Sequence, residues 1–155
     1  SFQNSQADTV LKRLHEVASI REKELNEDTL IYNANMTEMK PEVGHQLPIE
    51  MYREGYEYYV ETHFHPNSHS CFLQRNLMDL MVYDPVQFMY LLDQPLLMMV
   101  GDHADTNYMS EQAFELAITT KEKELYYLKD ATHIQTYYKE SVVKEAIEKL
   151  DIFYK

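Results

Sequence analysis

Glycine is nearly missing from this chain. Only three of its 155 residues are glycine, at positions 44, 55 and 101, against the roughly eleven that an average usage of about 7% implies. Gly-rich phosphate loops and the tight, Gly-flanked turns that expose a nucleophile are therefore excluded. Cysteine is scarcer still: Cys71 stands alone, so an intrachain disulfide framework is excluded and a reducing, cytoplasmic setting is expected. No run approaches the roughly 18 consecutive apolar residues of a membrane span, and no basic-then-apolar signal peptide opens the chain. Basic residues are outnumbered 14 to 26 by acidic ones, for a net charge of -12. A nucleic-acid backbone or an anionic membrane would repel such a chain, so neither is expected as a partner. The initiator Met is absent too, the chain opening at Ser1, and a processed or truncated product lacking an N-terminal part is expected. There is no internal repeat and no low-complexity tract.

What is present belongs to a folded soluble protein: 45% apolar and 26% charged residues, with length for one domain and one core. Residues 1–7 are polar and read as loose. From Asp8, with Asp8 or Ser5 as N-cap, Val10, Leu11, Leu14, Val17, Ala18 and Leu25 recur at helical spacing, which predicts an amphipathic helix. An irregular connector follows to about residue 47, with a Leu30-Ile31-Tyr32 patch that packs against something. Pro48 suits the first turn of a helix reaching Val60. Thr62–Ser70 must be a loop, and short helices follow near 73–83 and 86–92. The unbroken apolar run Pro95–Val100 predicts a buried strand. A helix capped at Ser110 comes next, burying Ala113, Phe114, Leu116 and Ala117. A second strand at Glu124–Leu128 and a final helix at Lys139–Tyr154 complete the chain. A strand–helix–strand–helix ending makes the two strands parallel. The fold class is therefore α/β: a helical, cap-like region over 1–93, then a core segment over 94–155. Two parallel strands make an incomplete sheet, so further strands are expected from a missing N-terminal half or a second copy.

Parallel neighbours send the loops after both strands to one carboxyl edge, where open α/β sheets place their chemistry. Asp102 and Asp105 follow the first strand and His133 follows the second. A carboxylate that orients a histidine, and a histidine that takes a nucleophile's proton, are two-thirds of an acyl-transfer triad. The plainer reading makes Asp105 a turn cap and His133 an ordinary loop histidine, and Asp102 competes with Asp105 for the acid role. His45, His63, His65 and His69 invite a metal reading, but no Cys pair, HExxH or carboxylate array accompanies them. No metal or cofactor is expected. The 13 tyrosines and 9 methionines fit core stripes and a hydrophobic lid equally well. Cys71 reads as a small packed side chain.

At these residues the chain resembles a known group. Gly101, Ala104-Asp105-Thr106, Ser110-Glu111-Gln112-Ala113 and Asp130-Ala131-Thr132-His133 are similar to the C-terminal end of α/β-hydrolases related to dienelactone hydrolase and acyl-peptidase-like esterases. Tyr56-Glu57-Tyr58-Tyr59 and His65-Pro66-Asn67-Ser68 look similar to the insertion these proteins carry upstream. The resemblance implies Asp105 as triad acid, His133 as triad base, and a small ester-type substrate in the full-length form. It also implies a Gly-x-Ser-x-Gly elbow and an oxyanion loop, and this chain has neither. Ser68, Ser70, Ser110 and Ser141 lack Gly-flanked turns. The expectation is a hydrolase fragment, inactive alone. The alternative is a non-catalytic, oligomeric module that binds a partner or a small molecule.

Overall fold

In a computed structural model, residues 7–155 are described; the side chain expected to cap the first helix, Ser5 or Asp8, lies outside what is described. The chain divides into two compact units. One comprises the chain up to Lys40 with His65–Asp84, the other Pro41–Phe64 with Pro85–Lys155. Residues 41–64 and 85–93 thus pack in the same unit as 94–155. No helix among the described residues is long and apolar enough to cross a membrane.

The first unit is built on helix α1, Ala7–Glu27. It stops at Asp28, whose φ of 48° is a left-handed conformation that Asp tolerates better than most residues, and the Thr29 N–H returns to the Glu24 carbonyl. The apolar stripe of α1 is only partly used: Val17 is buried, whereas Leu11 is half-exposed and Leu25 is 85% exposed. The Leu30-Ile31-Tyr32 patch finds its partner in an antiparallel bridge between Tyr32 and Leu73. That bridge is extended by the Asn33 N–H donating to Phe72 and the Gln74 N–H donating to Ile31. A 3-10 turn, Gln74–Asn76, leads into a short helix, α4, Leu77–Val82. Glu24 ties these pieces together. It is 6% exposed, accepts the Ile31 N–H at 2.8 Å and pairs with Arg75 at 3.5 Å.

The second unit contains helices α2, Pro41–Gly44, and α3, Glu50–Tyr56, and the sheet. Strands β1, Leu96–Gly101, and β2, Lys123–Leu128, pair in parallel with Gly101 opposite Leu128. They form a two-stranded sheet, so the expected parallel pair is present. Between them lies helix α5, Asn107–Leu116, and after them helix α6, Glu140–Phe153. Successive side chains on a strand face opposite ways, and β2 shows it. The Tyr126 hydroxyl meets Glu145 of α6 at 2.9 Å, while the Tyr127 hydroxyl meets Glu111 of α5 at 2.7 Å. Each face therefore carries one helix, as a parallel strand pair requires. The core on the α6 face is Leu128, Ala131 and Val142, with Met99, Tyr126 and Ala146 packed against it. Leu96–Met99 are only half-buried rather than fully so, because the sheet stops at two strands. Thr120 sews the strand starts together, its hydroxyl donating to the Gln94 carbonyl at 2.7 Å.

Two expectations need correction. Helix α5 starts at Asn107, three residues before Ser110, and of its expected apolar face Ala113 and the following Ala117 are buried while Leu116 is exposed. The helix expected from Pro48 begins at Glu50, ends at Tyr56, and widens into a π-helical segment, Glu57–Thr62. Gly44 lies under the face of the buried Tyr56 ring, where an added Cβ would come within 2.6 Å of three ring carbons.

Replacing Glu24 by Ala leaves the Ile31 N–H without its acceptor. The expected loss is about 1–3 kcal/mol of stability, seen as a lower urea midpoint with an unchanged slope; an unchanged midpoint would show that Glu24 ties nothing.

Candidate functional site

The candidate site lies at the carboxyl edge of the two strands and depends on how closely their trailing loops approach. The Asp102 N–H donates to the Leu128 carbonyl and the His103 N–H to the Ala131 carbonyl, both at 3.0 Å. In return the Ala131 N–H donates to the Asp102 carboxylate at 3.1 Å. Gly101 makes this crossing feasible. A Cβ there would collide with the Ala131 carbonyl, within 2.9 Å of its carbon and 3.0 Å of the Thr132 oxygen, and backbone cannot swing aside as a side chain can. On the β2 side the turn is made by Asp130, with φ 49°.

Asp102 is therefore committed to the backbone. The Ala131 N–H, with smaller help from the Asp130 and His103 N–H groups and the His103 ring, holds its carboxyl below the usual range, against the opposing effect of partial burial. Asp102 also lies with His103 and Asp130 in a small cluster of ligand-type atoms. Among the histidines weighed for metal, His45, His63 and His65 have local partners. His45 pairs with Glu61 at 2.9 Å, His63 meets the Thr62 hydroxyl at 2.8 Å, and the His65 ring accepts the Asn67 N–H at 3.2 Å.

His133 is half-buried at the head of a 3-10 turn, Ile134–Tyr137. Its Nδ1 lies 3.2 Å from the Thr106 hydroxyl, so the loop after β1 and the loop after β2 do meet at the histidine. The residue in contact is Thr106; its exposed neighbour Asp105 has no hydrogen bond to His133 among the described residues. Thr106 stands in the N-cap position of α5 yet makes no capping bond, its hydroxyl being turned to the imidazole instead. On the other side, Nε2 lies 2.6 Å from the Tyr137 hydroxyl. Burial, then the charge and hydrogen bond of Tyr59 and the charge of Tyr58, raise the Tyr137 phenol above its ordinary range. Tyr58 is surrounded by rings, stacked on His63 at 4.5 Å and on Tyr138 at 5.3 Å, and edge-on to Tyr137 at 5.7 Å.

Thr106 and Tyr137 were not singled out from sequence. Tyr137 follows His133 by four residues, a spacing that brings side chains together on one helical turn, but thirteen tyrosines hide the one that matters. Thr106 stood inside the Ala-Asp-Thr match without a role of its own.

Two outcomes follow. Gly101→Ala should cost about 1–3 kcal/mol or more and loosen both loops at once, detected as faster hydrogen exchange at Asp102 and His103; unaltered exchange would deny the close approach. Asp102, with its folded value depressed, contributes stability that is whole above the ordinary carboxylate value of 3.8 and is lost as pH falls through the lower folded value. Asp102→Asn should therefore flatten the fall in melting temperature between about pH 5 and about pH 2. Parallel melting curves for the two proteins would argue against it.

The fold is similar to that of hypothetical protein PA2218 from Pseudomonas aeruginosa, seen in its crystal structure. The match has a TM-score of 0.76 at 19% sequence identity and covers 95% of this chain and 46% of that one. The chain thus spans about half the length of that neighbour. No family model and no curated protein matches the sequence. The likeness is one of fold, an α/β arrangement with a small parallel sheet.

Proposed function

We propose that this chain carries the acid and the base of a serine α/β-hydrolase that cleaves carboxylic esters, the nucleophile and oxyanion donors coming from outside these 155 residues. One observation carries the reading: the histidine after β2 is in hydrogen-bond contact with the loop after β1, at Thr106, one residue beyond Asp105. In this reading Nε2 of His133 takes the proton of the attacking hydroxyl and returns it to the leaving group. Nδ1–H faces the acid side. Thr106 fixes the ring, and Asp105 supplies negative charge for the imidazolium. The commitment of Asp102 to Ala131 favours Asp105 for that part. The neighbour's greater length and the unpaired strand edges leave room for a larger sheet.

A second reading, a non-catalytic module that binds a partner or small molecule, draws on the fact that both ring nitrogens of His133 already have partners. A fluorophosphonate probe separates the two. It should label a longer native species and leave the 155-residue chain unlabelled, since loss of a triad nucleophile costs on the order of 10⁶ in rate. His133→Ala should abolish labelling of the longer species. If no longer species is labelled, the hydrolase reading fails and the binding module stands.

A further inference from the structure

We propose that Tyr137 occupies the nucleophile's place on His133, so that with Thr106 on the opposite nitrogen the imidazole is stored as its Nδ1–H tautomer, ready to act as base. The placeholder role rests on the hydrolase reading; the tautomer does not. A neutral imidazole has one donor and one acceptor nitrogen, so the two hydroxyls must divide them. The distances make the division. At 2.6 Å, the Tyr137 contact is shorter than the about 2.7–3.2 Å of an N–H donor to oxygen. At 3.2 Å, the Thr106 contact lies within that range. Tyr137 therefore donates to a bare Nε2, and Nδ1–H donates to Thr106.

Chemistry agrees with geometry. A phenol is a far better acid than an aliphatic hydroxyl, so it takes the strongest acceptor, the imine nitrogen. A phenol holds its proton at neutral pH, so Tyr137 remains a donor. The Tyr137 ring is held by its edge-on contacts with His133 and Tyr58. An arriving serine hydroxyl would replace one O–H donor on Nε2 by another, with no tautomer change at His133 and no proton leaving Tyr137. The base is thus set before the nucleophile is present.

Long-range ¹H–¹⁵N correlation spectra of the His133 ring in the 155-residue chain, at a pH where the ring is neutral, test this directly. In the wild type Nε2 should resonate as a bare imine nitrogen and Nδ1 as a protonated one. Tyr137→Phe should shift the tautomer ratio about fivefold or more toward the Nε2–H form that free histidine prefers. Thr106→Val should shift it the same way and Thr106→Ser should restore it, which a purely structural role for Thr106 would not require. A wild-type ring mostly in the Nε2–H form overturns the proposal, as does a ratio indifferent to Tyr137→Phe. The wild-type spectrum decides even if a variant fails to fold. Probe labelling reports separately on hydrolysis: a bare Nε2 with no labelled longer species leaves the stored tautomer standing and removes the hydrolase, whereas labelling with an Nε2–H ring does the reverse.

Discussion

The backbone crossing between Gly101 and Ala131 is the constraint on which the candidate site depends. Two loops leaving neighbouring parallel strands would ordinarily diverge. Here they are held by reciprocal hydrogen bonds, with the Asp102 carboxylate closing the last of them. Only a residue without a Cβ permits that approach. In a chain with three glycines, one spent at this edge marks where the fold tolerates no alternative. His133 stands two residues beyond the crossing, and its position follows from it.

From that point outward the site is built of hydroxyls more than charges. Thr106 and Tyr137 hold the histidine, Tyr59 and Tyr58 bear on Tyr137, and the nearest committed carboxylate faces backbone. A hydroxyl environment carries no formal charge at neutral pH, so His133 is oriented by the geometry of its hydrogen bonds. The acidic surface elsewhere, with a net charge of -12, has little bearing on that orientation.

How far the sequence disclosed this differs by element. The parallel strands were legible because β1 is a short apolar run stopped by Gly101, and β2 ends at a turn where Asp130 takes a left-handed φ. Parallel pairing alone sends the two post-strand loops to one edge; their contact depends on the crossing at Gly101. Ser110-Glu111-Gln112 imitates a capping box, which sets the expected start of α5 three residues late. The residue in the N-cap position is Thr106, whose hydroxyl is engaged three-dimensionally rather than locally. Leu11 and Leu25 have the spacing of a buried stripe yet remain open to solvent, since spacing reveals which side chains share a face and not how much of that face is covered. Which residue of the Ala104-Asp105-Thr106 run touches His133 is a matter of loop geometry that no periodicity resolves; the contact is made by Thr106.

The π-helical segment Glu57–Thr62 has its own consequence. The His63 N–H reaches back five residues to the Tyr58 carbonyl, and this wider turn narrows the angle between successive side chains. Adjacent residues on an ordinary helix diverge too far to serve one neighbour, yet Tyr58 and Tyr59 both bear on Tyr137. The extra residue in the turn therefore acts as an aiming device. Deleting one residue there would restore regular helical spacing and turn one tyrosine away from the phenol beside His133.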